Sequence, residues 1–133
     1  DVFNFLIRHP RVPLVVPNPD EYFPSGAGTF GIASGSVGRF IERLCAVHGE
    51  PKQPIYLGKP YQPIFRYSHH RFESRLGRRL PREKVLIIGD SLSSDVAGGR
   101  NFGYLTGLSL TGVTTREVLE QSEIQPDIIF EKV

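Results

Sequence analysis

Two aspartates stand five residues apart in the stretch "VLIIGDSLSSD", directly after a run of four apolar residues. Asp90 follows Gly89, and Asp95 follows a loop made mostly of serine. Two carboxylates held close together repel each other unless a cation or a positive side chain lies between them. Mg²⁺ prefers oxygen ligands and usually takes one or two protein carboxylates. The spacing therefore allows a magnesium site, and it also allows Asp95 to cap a helix while Asp90 completes a turn.

A lysine stands in a similar setting about 30 residues earlier, in the stretch "YLGKPYQPIF". Lys59 follows a short apolar run and a glycine, and it precedes a proline that ends the run. One interpretation is a cation placed at the ends of strands, where it would neutralise a phosphate or a carboxylate. The other interpretation is an ordinary solvated lysine, and Lys59 seen alone leaves both open.

The elements that must position these residues alternate in the second half of the chain. "KVLIIGD" predicts a strand covered on both faces, because its apolar run does not alternate with polar residues. A helix over 94–102, a strand in "YLTGLSLTG", a helix opened by Thr114 and Glu117 as a capping box, and a strand in "PDIIF" follow. This order is typical of a parallel sheet with crossover helices, in which ligands bind beyond the carboxyl ends of the strands. Asp90 lies at such an end.

The first half is less regular. It predicts a short strand in "PLVV", a loop in "EYFPSGAGTFGIASG" and a brief strand in "QPIYLGKP". Between this loop and the second strand, the sequence predicts a helix that ends near Gly49. Its apolar face consists of Val37, Phe40, Ile41, Leu44 and Val47. A further helix, ending at Gly77, is predicted to present Ile64, Phe65, Ser68, Phe72 and Leu76 on one face.

Composition narrows the class of protein. The chain has 133 residues, 39% of them hydrophobic and 23% charged, as expected for a soluble globular protein, and it has no apolar run of membrane-spanning length. The single Cys45 fits a reducing compartment, which predicts a cytoplasmic location. The arginine-rich segment 66–84 is interrupted by Glu73 and Glu83, so we interpret it as a solvated helix face and expect no nucleic-acid partner.

The two ends also carry information. The chain opens with "DVFNFLIRHP", contains no methionine and stops in what is predicted to be a strand. We therefore expect it to be a portion of a larger protein.

The ordered motifs resemble a known family. "GKP" followed by "IIGDSLSSDVAGGRNFGYLTGLSLTGVTT" resembles the haloacid dehalogenase-like (HAD) superfamily, and more narrowly its class IIA branch of p-nitrophenyl, pyridoxal phosphate, phosphoglycolate and predicted sugar phosphatases. "NPD" near residue 18 and a terminal "PD" extend the resemblance over nearly the whole chain. It implies an α/β fold: residues 1–56 as the later part of an α/β cap domain and residues 57–133 as the later part of a Rossmann-like core with a parallel sheet.

The resemblance also implies roles for three side chains. Lys59 matches the lysine that steadies the nucleophile and the transferring phosphoryl group. Asp90 matches the aspartate that binds Mg²⁺ directly, and Asp95 matches the second acid, which holds the metal directly or through water. These matches predict a magnesium cofactor.

Four further positions follow from the same resemblance. Gly89 and Ser91 would shape the backbone around the metal. Asn18 and Asp20 would lie in the cap, which covers the active site and helps to choose the substrate. The expected substrate is a small phosphorylated metabolite such as a sugar phosphate, and no membrane partner is expected. The sequence leaves open whether the protein forms a homo-oligomer.

One essential part of the family pattern is missing. The nucleophile of the family is the first aspartate of a D-x-D motif, but Asp1 is followed by Val2 and Phe3, and "VVPNPD" has Asn18 at the corresponding place. We therefore expect the intact protein to hydrolyse a phosphate monoester through an aspartyl-phosphate, and this chain alone to be inactive. The alternative is a non-catalytic HAD-like module that binds a phosphorylated ligand or a partner protein.

Overall fold

The computed structural model describes residues 1–132, which divide into two compact units. The first unit is Asp1–Gly58 and the second begins at Lys59. Each unit has its own apolar core. The first core consists of Leu6, Leu14, Val16 and Cys45. The second unit has two clusters, one of Leu92, Val96, Leu108 and Leu119 and one of Phe65, Phe102 and Tyr104.

The first unit combines two helices with two small sheets. The helices are α1 (Val2–Arg8) and α2 (Ser34–His48), and the strands are β1 (Val15–Val16), β2 (Tyr22–Gly26), β3 (Thr29–Ile32) and β4 (Ile55–Tyr56). β1 pairs in parallel with β4, whereas β2 pairs with β3 as an antiparallel hairpin. The short strands and the helix ending at Gly49 are confirmed. Gly49 ends α2 in the left-handed conformation, which glycine adopts without steric cost.

The loop predicted over "EYFPSGAGTFGIASG" is wrong, because most of it forms the β2–β3 hairpin. The two residues of the turn, Ala27 and Gly28, have φ values of 48° and 73°. A two-residue turn with positive φ at both positions matches the twist of the paired strands. The abundant glycine, serine and proline indicated a loop, although aromatic and β-branched residues on either side of "GAG" favour a hairpin.

The apolar face predicted for α2 is also largely wrong. Val37, Phe40 and Val47 are exposed, and the buried residues of the helix are Gly35, Gly38 and Cys45. A methyl group added at Gly38 would lie 2.6 Å from a methyl carbon of Val16 on β1. The helix therefore approaches its neighbours through small residues, a contact that a search for large apolar residues does not detect.

The second unit is built on a three-stranded parallel sheet. Its helices are α3 (Gln62–Leu76), α4 (Ala97–Phe102) and α5 (Arg116–Glu120), with a 3₁₀ turn at Arg82–Lys84 and a π-helical turn at Leu92–Val96. Its strands are β5 (Leu86–Gly89), β6 (Leu105–Ser109) and β7 (Ile128–Phe130), in the spatial order β5-β6-β7. Both pairings are parallel, so the predicted α/β class is confirmed. No helix within residues 1–132 is long and apolar enough to cross a membrane.

Three details of this unit differ from the predictions. β5 is not covered on both faces, since Leu86 and Ile88 are 39% and 46% exposed. Crossover connections between parallel strands are right-handed. Two crossovers that run in the same direction across a sheet therefore lie on one face of the sheet and leave its other face open. Helical structure begins at Leu92 rather than at residue 94. Thr115, not Thr114, caps α5, because its hydroxyl oxygen accepts the N–H of Val118 at 3.4 Å.

A carboxylate joins β6 to the start of β7. The N–H and the hydroxyl of Thr106 both donate to one carboxylate oxygen of Asp127, at 2.7 and 2.8 Å. Hydrogen bonds to the charged form stabilise it, so Thr106 holds the pKa of Asp127 below its ordinary value. Because the pKa of Asp127 is lower in the folded state than in the unfolded chain, this pair stabilises the fold at pH values above the ordinary aspartate pKa. Its contribution is lost as the pH falls through the lowered pKa.

We therefore expect the Asp127→Asn variant to lose less stability than the unmodified chain when the pH falls from about 6 to about 3. Urea unfolding followed by circular dichroism over this range measures the effect. Thr106→Val is the matched control, because it removes the hydroxyl donor and leaves the N–H in place. Equal pH slopes for the unmodified chain and for Asp127→Asn would contradict the assignment.

Candidate active site

The carboxyl end of β5 positions Asp90. The strand ends at Gly89, so Asp90 is the first residue beyond it and lies half-buried at that edge of the sheet. One carboxylate oxygen, Oδ2, accepts the N–H of Val113 at 3.0 Å, and the main-chain carbonyl of Asp90 accepts the N–H of Thr114 at 3.1 Å. Both donors follow β6, the neighbouring strand, so parallel pairing of β5 and β6 brings them to Asp90.

Asp95 lies in the π-helical turn and is almost fully buried, with 3% of its surface exposed. Its carboxylate turns back toward the start of this turn, where Oδ2 accepts the N–H of Ser91 at 3.2 Å. The cap of the turn is Ser91 itself, whose hydroxyl oxygen accepts the N–H of Ser94 at 3.3 Å. The alternative interpretation from the sequence, in which Asp95 only caps a helix, is therefore wrong. The π turn, in which the N–H of Val96 reaches the carbonyl of Ser91 at 3.1 Å, is a feature found frequently at functional sites.

Gly89 permits the close approach of the Asp95 carboxylate to the end of β5. A methyl group added at Gly89 would lie 2.1 Å from the carboxyl carbon of Asp95 and 2.3 Å from its Oδ2. Real side chains essentially never approach so closely, so a glycine is required here. Since Gly89 immediately precedes Asp90, both carboxylates belong to the same end of β5.

Lys59 is the first residue of the second unit, and its side chain reaches the Asp95 carboxylate. Its ammonium group forms an ion pair with Oδ1 of Asp95. The side chain of Lys59 is 46% exposed, whereas that of Asp95 is 4% exposed, so the pair joins an accessible cation to a buried anion. Of the positions singled out from the sequence, Lys59, Gly89 and Ser91 contact Asp95, and Asp90 lies between Gly89 and Ser91 in the chain.

Asn18 and Asp20 lie in the first unit, where they shape a turn. The side-chain oxygen of Asn18 accepts the N–H of Asp20 at 3.0 Å, and the main-chain oxygen of Asn18 accepts the hydroxyl of Ser34 at 3.0 Å. The carbonyl of Asp20 accepts the N–H of Gly35 at 2.9 Å. These contacts fix the entry into α2, and the proposed contribution of the two residues to substrate choice stays a prediction.

The carboxylate oxygens at the carboxyl end of β5 are suitable ligands for a hard divalent cation. Mg²⁺ usually takes one or two protein carboxylates and fills its remaining positions with water or substrate phosphate. Asp90 and Asp95 supply two carboxylates, and no hydrogen bond within residues 1–132 engages Oδ1 of Asp90. No group of three or more His, Cys, Asp and Glu residues converges in the same part of the chain. A closed all-protein metal cage is thus not formed there, whereas an open two-carboxylate site is compatible with the geometry.

Sequence reasoning missed the residues after β6 that contact Asp90. Gly112 lies against its carboxylate, and Val113 donates to it. The signal was available as the glycine in "LTGVTT", since a glycine soon after a strand often marks a close approach of the backbone to another group.

Comparisons with known proteins identify the family. Residues 56–133 match the family model described as HAD-hydrolase-like. The ribonucleotide monophosphatase NagD of Escherichia coli is 28% identical over 119 residues, which cover 90% of this chain and 42% of NagD.

Two solved structures are similar over nearly the whole chain. The p-nitrophenyl phosphatase of Archaeoglobus fulgidus has a TM-score of 0.71 at 30% identity, covering 98% of this chain and 46% of that protein. A HAD-superfamily protein of Cytophaga hutchinsonii, described as a possible sugar phosphatase, has a TM-score of 0.75 at 29% identity, covering 98% and 45%. The chain therefore spans less than half the length of these relatives, which are consistent with the class IIA branch. The chain belongs to the HAD-like hydrolase family.

Proposed function

We propose that the intact protein is a Mg²⁺-dependent phosphate monoester hydrolase, in which this chain supplies Lys59, Asp90 and Asp95. The observation that carries the proposal is the ion pair between Lys59 and Asp95, whose carboxylate packs against Gly89, the residue directly before Asp90 at the carboxyl end of β5. This edge is where parallel α/β sheets bind their ligands. Names of the relatives support the class of reaction, because they include phosphatases of small phosphorylated molecules.

Each residue has a distinct part in this proposal. Asp90 and Asp95 would hold the cation, which when bound neutralises charge on the phosphoryl group. The Lys59 ammonium group would stabilise the charge that the equatorial phosphoryl oxygens carry in the transition state. The burial of Asp95 and its two hydrogen-bonding partners keep its carboxylate in place before substrate arrives. The nucleophilic aspartate, which attacks phosphorus and forms the aspartyl-phosphate, is expected in the D-x-D motif that this chain lacks.

The two compact units correspond, in this proposal, to the later part of a cap and the later part of a core. Asn18 and Asp20 would then contribute to the choice of a small phosphorylated metabolite. A cytoplasmic location is proposed on the basis of Cys45, a single free thiol that is buried.

A direct test is the hydrolysis of p-nitrophenyl phosphate by the intact protein. We expect turnover with Mg²⁺, its loss on treatment with EDTA and its return when Mg²⁺ is added. The 133-residue chain alone should show none under the same conditions. Hydrolysis by the chain alone would show that the nucleophile has been misplaced, and an inactive intact protein would favour the non-catalytic module.

A further inference from the structure

The loop that follows β6 surrounds the Asp90 carboxylate. A methyl group added at Gly112 would lie 1.9 Å from Oδ2 of Asp90 and 2.4 Å from its carboxyl carbon. These distances are far below any real contact, so the carboxylate and the Gly112 backbone occupy adjoining space that excludes any side chain. The next residue, Val113, donates its N–H to the same oxygen at 3.0 Å.

The loop is itself held firmly on both sides of Gly112. Before it, the N–H of Leu110 donates to the carbonyl of Phe130 on β7 at 2.9 Å, and the hydroxyls of Ser109 and Thr111 lie 2.8 Å apart. After it, Thr114 is 4% exposed and donates its N–H to the Asp90 carbonyl. Asp90 is therefore bonded twice to one anchored loop, once through its side chain and once through its main chain.

Resting on the proposed function, we propose that the loop Thr111–Thr114 is a positioning element that sets the metal-binding orientation of Asp90. The Val113 N–H occupies Oδ2, so that Oδ1 is the oxygen left for a cation. Gly112 makes this orientation accessible, because any larger residue would displace the carboxylate. Hydrogen bonds to a ligating carboxylate restrict its rotation, and loss of such supporting contacts typically weakens metal affinity about 10- to 100-fold.

The test compares the Mn²⁺ affinity of the intact protein and its variants, measured by the electron paramagnetic resonance signal of free Mn²⁺. We expect Gly112→Ala to weaken binding at least about 10-fold. The control is Gly77→Ala: Gly77 has a positive φ of 64°, and a methyl group there would meet no atom within 4 Å. That substitution strains the backbone away from Asp90, so it should lower stability and leave Mn²⁺ affinity unchanged.

If Gly112→Ala does not fold, a second variant tests the positioning role of the loop. Val113→Pro removes the N–H donor at an exposed position, and it should also weaken Mn²⁺ binding at least about 10-fold. If the unmodified intact protein binds Mn²⁺ and a folded Gly112→Ala or Val113→Pro variant binds it equally well, the loop has no positioning role and the proposed function stands. If the unmodified intact protein binds no Mn²⁺, the metal site of the proposed function fails, and the positioning role fails with it.

Discussion

Replacing Asp90 with asparagine should lower the kcat of the intact protein for p-nitrophenyl phosphate at least about 100-fold, the usual scale for one electrostatic stabiliser. Asparagine keeps the shape of aspartate, and its side-chain oxygen can still accept the N–H of Val113. The variant therefore removes the charge that would bind Mg²⁺ while it preserves the local hydrogen bond. Steady-state kinetics at saturating Mg²⁺ measure the effect.

The matched control is an acid on the surface of the same unit. Glu123 is exposed and lies outside the site, so Glu123→Gln should leave kcat within about twofold of the unmodified protein. Urea unfolding of both variants separates lost charge from lost structure. Turnover close to that of the unmodified protein in a folded Asp90→Asn variant would exclude Asp90 as the metal ligand.

Lys59→Ala should lower kcat by a similar factor of at least about 100, and it should also destabilise the fold. Removing the lysine leaves the buried Asp95 carboxylate without its cation. Breaking a fully buried pair costs about 3 to 5 kcal/mol, but the lysine side chain is 46% exposed and partly screened by water. We therefore expect a loss of about 1 to 3 kcal/mol in the free energy of unfolding.

A double variant tests whether the stability cost of Lys59→Ala comes from the unpaired Asp95 carboxylate. In Lys59→Ala combined with Asp95→Asn, no unpaired buried charge remains, so the stability cost of Lys59→Ala should become smaller than in the single variant. Activity should stay at least about 100-fold reduced, because the ammonium group is still absent and a proposed metal-binding carboxylate has been removed as well. If Lys59→Ala lowered stability and left kcat unchanged, the ion pair would be purely structural.

The features that the sequence predicts well depend on local patterns. The apolar run of β5 followed by Gly89 and Asp90 predicts a strand ending in an acid, and the structure agrees. Gly49 and Gly77 mark the ends of α2 and α3, because each glycine adopts the left-handed conformation that ends a helix.

The contacts that the sequence does not predict depend on distant partners. Val113 reaches Asp90 across 23 residues, because the register of β5 against β6 brings the two strand ends together. The face of α2 is set by Gly35 and Gly38, where small size allows close packing, and not by its large apolar residues. Neither feature can be read from hydrophobic periodicity, which reports where large apolar residues recur along one element.

The most direct test of the proposed metal site maps Mn²⁺ on the ¹⁵N-labelled intact protein by paramagnetic broadening of its amide signals. With substoichiometric Mn²⁺, we predict that the amide signals of Asp90, Ser91 and Asp95 broaden first, and that Asp90→Asn abolishes this selectivity. Broadening that is absent from these amides, or that is unchanged in a folded Asp90→Asn variant, would contradict the assignment of the metal to the carboxyl end of β5.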